Sequence, residues 1–183
     1  MEKTLRQYDS IIANCKDIFS KKMKDYGTAW RVLRPSSITD QLYIKAKRIS
    51  TIEDAGESKV DEGVVSEYIA IVNYCVMGLV QLELGPSDSD ELTDTEVLNY
   101  YSNHLEIARS LMINKNTDYG EAWREMRVSS ITDLILMKIH RTKQIEDNKG
   151  ETIISEGIDA NYHDMINYAI FAMILLSEKE QVN

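Results

Sequence analysis

The chain has 183 residues, 43% hydrophobic and 28% charged, with only two prolines and eight glycines. A formal net charge of −9 argues against a polymeric nucleic acid as partner, because phosphate backbones are bound by clustered Lys and Arg; a single nucleotide stays open, since a divalent metal can bridge carboxylates to phosphates. A chain this long buries roughly 70% of its unfolded surface without covalent staples, and Cys15 and Cys75 read as small buried hydrophobes with no metal-ligand spacing.

Apolar residues recur at three and four rather than at two, so the chain is predicted to be all-α. Met1-Glu2-Lys3-Thr4 opens no signal-peptide pattern. The longest apolar run, Tyr168–Leu176, has nine residues and is too short to cross a membrane. A cytoplasmic protein with no membrane contact is expected. The first helix is predicted near residues 5–24, with Tyr8, Ile12, Cys15, Phe19 and Met23 on one face. A loop ending in Asp25-Tyr26-Gly27 stops it, glycine permitting a left-handed cap. The second helix opens at Ser36 or Ser37, where Ser37 and Asp40 have capping-box spacing. It turns Ile38, Leu42, Ile49 and Ile52 to the core. The third lies near residues 61–84 and buries Tyr68, Ile71, Val72, Cys75 and Leu79. Gly85 to Asp90 is a polar linker, after which Thr93 and Glu96 cap a fourth helix near residues 96–116. A fifth carries Ile131, Ile135, Ile139 and Ile145, and a sixth lies near residues 155–177.

The last three helices repeat the first three. Asp25-Tyr26-Gly27-Thr28-Ala29-Trp30-Arg31 returns as Asp118-Tyr119-Gly120-Glu121-Ala122-Trp123-Arg124, and from Asp25–Asp54 to Asp118–Asp147 17 of 30 positions are identical. After a one-residue insertion Asn73-Tyr74 matches Asn167-Tyr168. The organisation is therefore a helical repeat over residues 1–84, a linker over 85–92 and a second repeat over 93–183. Two three-helix units packed face to face make a pseudo-twofold bundle with one core, like a fused homodimer.

Four constellations carry chemistry. The loop Lys22 to Gly27, with Trp30 beyond it, and its copy Lys115 to Gly120, with Trp123, make either a ligand mouth or a helix stop with its Trp in the core. Arg34 and Arg127 precede helix starts where Ser side chains make either an anion site or a cap; capping is the simpler reading. Lys45 with Arg48, and Lys138 with Arg141, lie one turn apart and would hold phosphates or pair with acids of the third helix. On the last helix, taking Glu156 as origin, His163 and Asn167 fall within about 20°, with Asp159 and Asp164 about 60° and 80° to either side. With Glu146 and Asp147 opposite, such carboxylates suit Mg²⁺; a solvated polar face is the alternative. In the first repeat only Glu62 and Asn73 of this stripe survive. Asn73 and Asn167 are either buried register residues or readers of a base. P-loop, GxSxG, CxxC and HExxH motifs are absent.

The string Lys-x-x-Asp-Tyr-Gly-x-Ala-Trp at Lys22–Trp30 and Lys115–Trp123, the Lys-x-x-Arg helices and Asp164-Met165-Ile166-Asn167-Tyr168 resemble the nucleotide modification associated domain family, twice over nearly the whole chain. In helical layout that family is similar to the MazG-like all-α nucleoside triphosphate pyrophosphohydrolases, whose Glu-x-x-Glu and Glu-x-x-Asp pairs hold Mg²⁺. Here the nearest matches to the second pair are Glu67-Tyr68-Ile69-Ala70 and Asn161-Tyr162-His163-Asp164, each short of one acid. The resemblance thus implies the fold and a nucleotide more directly than hydrolysis.

The resulting expectation is Mg²⁺-dependent binding of a nucleoside or deoxynucleoside triphosphate, with cleavage to monophosphate and pyrophosphate as the activity such a site would carry. Glu146, Glu156, Asp159 and Asp164 are the expected metal ligands, with Glu156 and Asp164 catalytic. Lys115, Lys138, Arg141 and Arg127 face phosphates, and Asp118, Tyr119, Trp123 and Asn167 complete the ligand site. The alternatives are a non-catalytic nucleotide-binding accessory and a helical interaction protein. Whether the fused unit pairs into a homodimer is left open.

Overall fold

The computed structural model describes residues 1–56, 63–89 and 91–180. They form six α-helices: α1 (Glu2–Tyr26), α2 (Pro35–Ala55), α3 (Val64–Leu84), α4 (Asp94–Tyr119), α5 (Val128–Asp147) and α6 (Ile158–Glu180). A 3₁₀ turn precedes α2 at Ala29–Val32 and another precedes α5 at Ala122–Glu125. The all-α tandem repeat is as expected, and no strand occurs among the described residues. The predicted start of the third helix, with Asp61 and Glu62, lies outside them.

Local chemistry sets most helix ends. α4 opens on the expected capping box: Glu96 N–H donates to Thr93 Oγ1 at 3.3 Å, and Thr93 N–H donates to Glu96 Oε2 at 2.8 Å. α1 and α4 run on to Tyr26 and Tyr119 and stop at Gly27 (φ 64°, ψ −140°) and Gly120 (φ 61°, ψ −161°). Those angles lie away from the left-handed helical cap that was anticipated, in a region essentially reserved for glycine. The serine caps expected for α2 and α5 are not made. α2 starts at Pro35 and α5 at Val128, each after an extended Arg N-cap with no side-chain cap bond. Proline presets the first helical φ and its missing N–H would have been unpaired there anyway.

α2 packs on α3 and α5 on α6; the two pairs meet through α3 against α6 and α2 against α5, with α1 and α4 each touching both α3 and α6. By length and composition α3 is apolar enough to cross a membrane, but 67% of its apolar window is buried inside the protein.

The two repeats are tied by four buried tyrosines at equivalent positions, Tyr8 with Tyr101 and Tyr68 with Tyr162, all fully enclosed. A buried phenol needs a partner, and each finds it in the opposite repeat. Tyr8 donates to Asn167 Oδ1 at 2.6 Å and Tyr101 to Asn73 Oδ1 at 2.7 Å. Tyr68 lies 2.8 Å from Thr132 Oγ1, which donates to Glu53 at 2.9 Å; Tyr162 lies 2.7 Å from Thr39 Oγ1, which donates to Glu146 at 2.7 Å. The duplicated Ser-Ser-Ile-Thr-Asp and Ile-Glu-Asp strings thus supply the threonine and glutamate of mirrored relays. Burial raises the pKa of Glu53 and Glu146, against the hydrogen bonds they accept.

Candidate functional site

Two cavities lie at equivalent places in the two repeats. Lys22, Tyr26, Gly27, Trp30, Asn73 and Tyr74 line the first, and their copies Lys115, Tyr119, Gly120, Trp123, Asn167 and Tyr168 line the second. All six pairs are identical residues, drawn from a helix end, its 3₁₀ turn and the last helix of each repeat. Counted out to their open mouths, the two cavities enclose about 530 and 520 Å³, a figure that includes solvent-open space.

The walls differ where the sequence drifted. Trp123 stacks flat on Phe171, centroids 4.2 Å apart and planes at 3°, and its Nε1–H donates to Asn116 Oδ1 at 3.2 Å. In the first cavity those two partners are Met77 and Met23. Trp30 meets Phe19 at a tilt, with ring centroids 6.3 Å apart.

The charges are also distributed differently. In the second repeat Lys115 and Lys138 both donate to Asp164, at 2.6 and 2.7 Å on opposite carboxylate oxygens. Burial pushes the Asp164 carboxyl up, but the two ammonium groups outweigh it and hold it below its usual range. Arg141 has no ion-pair partner among the described residues. In the first repeat the acid sits one turn earlier: Glu67 is buried against Lys45 (3.2 Å) and Arg48. Its copy is Asn161, and the copy of Asp164 is Ala70. Here the cation without an acidic partner among the described residues is Lys22, at the cavity mouth. Each repeat therefore neutralises two of its three cations and releases a different one.

Several expected site residues are corrected. The four carboxylates read as Mg²⁺ ligands do not converge. α6 begins only at Ile158, so Glu156 sits exposed in the preceding loop and the wheel built on it fails. Asp159 is exposed on the first turn of α6, Glu146 is turned to Thr39, and Asp164 is held by two lysines. Among the described residues no group of three or more His, Cys, Asp or Glu stands close enough to hold a metal ion. A lone carboxylate between two ammonium groups is a poor cation site, and Asp164 as placed is taken up by Lys115 and Lys138. Asn167 is a register residue: its amide nitrogen donates to Ala108 O at 3.0 Å while its oxygen accepts from Tyr8. Asp118 and Arg127 are exposed and line neither cavity. Lys138 is buried beneath Asp164, and Arg141 opens instead on a shallow groove beside the exposed Ile153 and Ile154. Lys115, Tyr119 and Trp123 do come together, as expected.

Tyr74 and Tyr168 line the cavities but had been given no role; their identity in both copies was the available signal. His163 faces His104, centroids 5.9 Å apart, and His163 Nε2 is buried without a hydrogen bond. Burial lowers both pKa values, and His104 lowers that of His163 further.

The arginine of each duplicated string is structural. Arg31 is buried against the Gln81 side chain, whose Nε2 donates to Arg31 O and Leu33 O at 2.7 and 2.6 Å. Arg124 bonds Glu121, Glu178, Thr4 and Gln7. Both arginines anchor the 3₁₀ turns that carry the tryptophans.

Comparison with protein families matches residues 22–82 and again residues 115–176 to nucleotide modification associated domain 1. Each match contains one complete set of the six lining residues. No curated protein and no solved structure matches the chain. The chain belongs to the nucleotide modification associated domain 1 family, as a tandem pair.

Proposed function

Taking that membership as the premise, we propose that this protein binds a nucleotide in its tryptophan-lined cavities and does not hydrolyse it. One observation carries the reading: six residues retained in both repeats line both cavities. They include a lysine for a phosphate and a tryptophan with two tyrosines for the faces of a base. Base–aromatic contact is sequence-tolerant and substantial, on the order of 1–3 kcal/mol per base. The family's description, which links it to nucleotide modification, accords with this ligand.

Binding is preferred over pyrophosphate release because of where the acids sit. Hydrolysis of a triphosphate through a metal needs several carboxylates converging on it. Here Glu146 serves an inter-repeat relay and Asp164 is neutralised by lysines.

Thermal unfolding with a panel of ribo- and deoxynucleotides, followed by ion-exchange chromatography of the same samples, tests this. The expected result is a concentration-dependent rise in Tm with one class of nucleotide, all of it recovered unchanged. Monophosphate and pyrophosphate appearing from a triphosphate would overturn the non-hydrolytic reading. No rise in Tm with any nucleotide would overturn the binding.

A further inference from the structure

The two cavities share a lining but not an electrostatic state, and the second shows what the first lacks. In the second, the polar end is filled by the chain's own anion, Asp164, bridging Lys115 and Lys138 at 2.6 and 2.7 Å. In the first, the same position is Ala70, whose methyl carries no charge and lines the cavity together with Lys22. Lys22 has no acidic partner among the described residues, whereas Lys45 and Arg48 are turned to Glu67. The aromatic walls follow the same division. Trp123 is stacked on Phe171 and hydrogen-bonded to Asn116, whereas in the first cavity those two positions are Met77 and Met23.

We infer that only the first cavity takes an external ligand, that this ligand is a nucleoside monophosphate, and that Asp164 closes the second cavity as a built-in substitute for its phosphate. The inference rests on the nucleotide-binding reading above and specifies it. A monophosphate fits because, among the described residues, the first cavity offers one ammonium without an acidic partner, Lys22, beside an aromatic wall. Lys22 can meet a single phosphate where Asp164 meets Lys115 in the copy, and the base lies against Trp30. A triphosphate brings about four charges to one lysine, with no carboxylate cluster among the described residues to recruit a metal for the remainder.

The two cavities can be read separately, because Trp30 and Trp123 are the only tryptophans in the chain. Full-length protein labelled with 5-fluorotryptophan gives two fluorine resonances, assigned with Trp123→Phe. Titration with AMP, GMP, CMP, UMP and TMP should shift the Trp30 resonance with at least one of them, leaving Trp123 in place. The corresponding triphosphate without metal should bind at least 10-fold more weakly. Ala70→Asp supplies the missing internal anion and should weaken binding at least 10-fold. Asp164→Ala should bring the Trp123 resonance into the titration as a second site.

If Asp164→Ala loses its fold, Asp164→Asn keeps the shape without the charge and serves the same purpose. A wild-type shift at Trp123, or unaltered affinity in Ala70→Asp, would overturn this inference and leave nucleotide binding standing. Response of neither resonance to any nucleotide would overturn both.

Discussion

At the scale of residues, the difference between the two copies lies in which cation is left unpaired. Lys22 is exposed and makes no ion pair among the described residues, so Lys22→Ala should leave Tm within about 1 °C of wild type, as surface changes usually do. Hydrogen bonds to charged groups contribute about 1.5–3 kcal/mol, so the same variant should lose roughly 10- to 100-fold in nucleotide affinity, measured by titration of Trp30. Glu121 makes a prediction about pH. Burial raises its carboxyl, but Thr4, Arg124 and the N-terminal ammonium outweigh this and hold it at about 2. A folded pKa below the unfolded value, about 4.3, stabilises the protein above the unfolded pKa, and that stability is lost as pH falls through about 2. Glu121→Gln should therefore lower Tm at pH 7, and the gap to wild type should close as the pH approaches 2; a gap constant with pH would count against the ion pairs. Lys22, Tyr26 and Trp30 and their copies were legible because duplication retained them, whereas Tyr74 and Tyr168 carried the same signal unread. The fate of the acids was not, since a carboxylate neutralised by neighbours and one bound to metal have the same sequence signature.

At the scale of elements, six helices and their inward faces could be read from three-four periodicity, but the start of α6 could not. Ser155 and Glu156 are helix-compatible residues that the chain leaves in a loop, and a helix start three residues later than expected takes Glu156 out of the face expected to hold metal. The 3₁₀ turns were also invisible, because four-residue turns have no period to detect; Arg31 and Arg124 fix them through contacts distant in sequence. The threonines of Ser-Ser-Ile-Thr-Asp looked like part of a cap and act instead across the repeat interface. Thr132→Val keeps shape but leaves the buried Tyr68 hydroxyl and Glu53 without their shared partner, and should cost on the order of 1–3 kcal/mol in denaturant unfolding. At Gly78, α3 lies close against Tyr162 of α6. A Cβ there would lie 2.7 Å from the Tyr162 ring, so Gly78→Ala should destabilise by about 1–3 kcal/mol through overpacking. If Gly78→Ala is instead stabilising, as an ordinary helical Gly→Ala would be, the close approach is wrong.

On the whole-molecule scale, the chain is a tandem pair whose contacts between repeats are symmetric and whose cavity charges are not. The Tyr–Asn and Tyr–Thr–Glu relays cross between repeats in mirrored form, so neither half can satisfy its buried phenols alone. Duplication thus preserves two kinds of residue at once, those that hold the halves together and those that line a cavity, and only the structure separates them. Asn73 and Asn167 belong chiefly to the first kind, Lys22 and Trp30 to the second. The shift of one acid by one helical turn, from the Glu67 position to the Asp164 position, changes which cation is left without an acidic partner among the described residues, Lys22 in the first repeat and Arg141 in the second.

The most direct test of this account is calorimetric titration of the wild-type chain with nucleoside monophosphates. The account predicts saturable binding of one molecule per chain for at least one base. Two equivalent sites would contradict the asymmetry between the repeats, and the absence of binding with every base would contradict the nucleotide assignment itself.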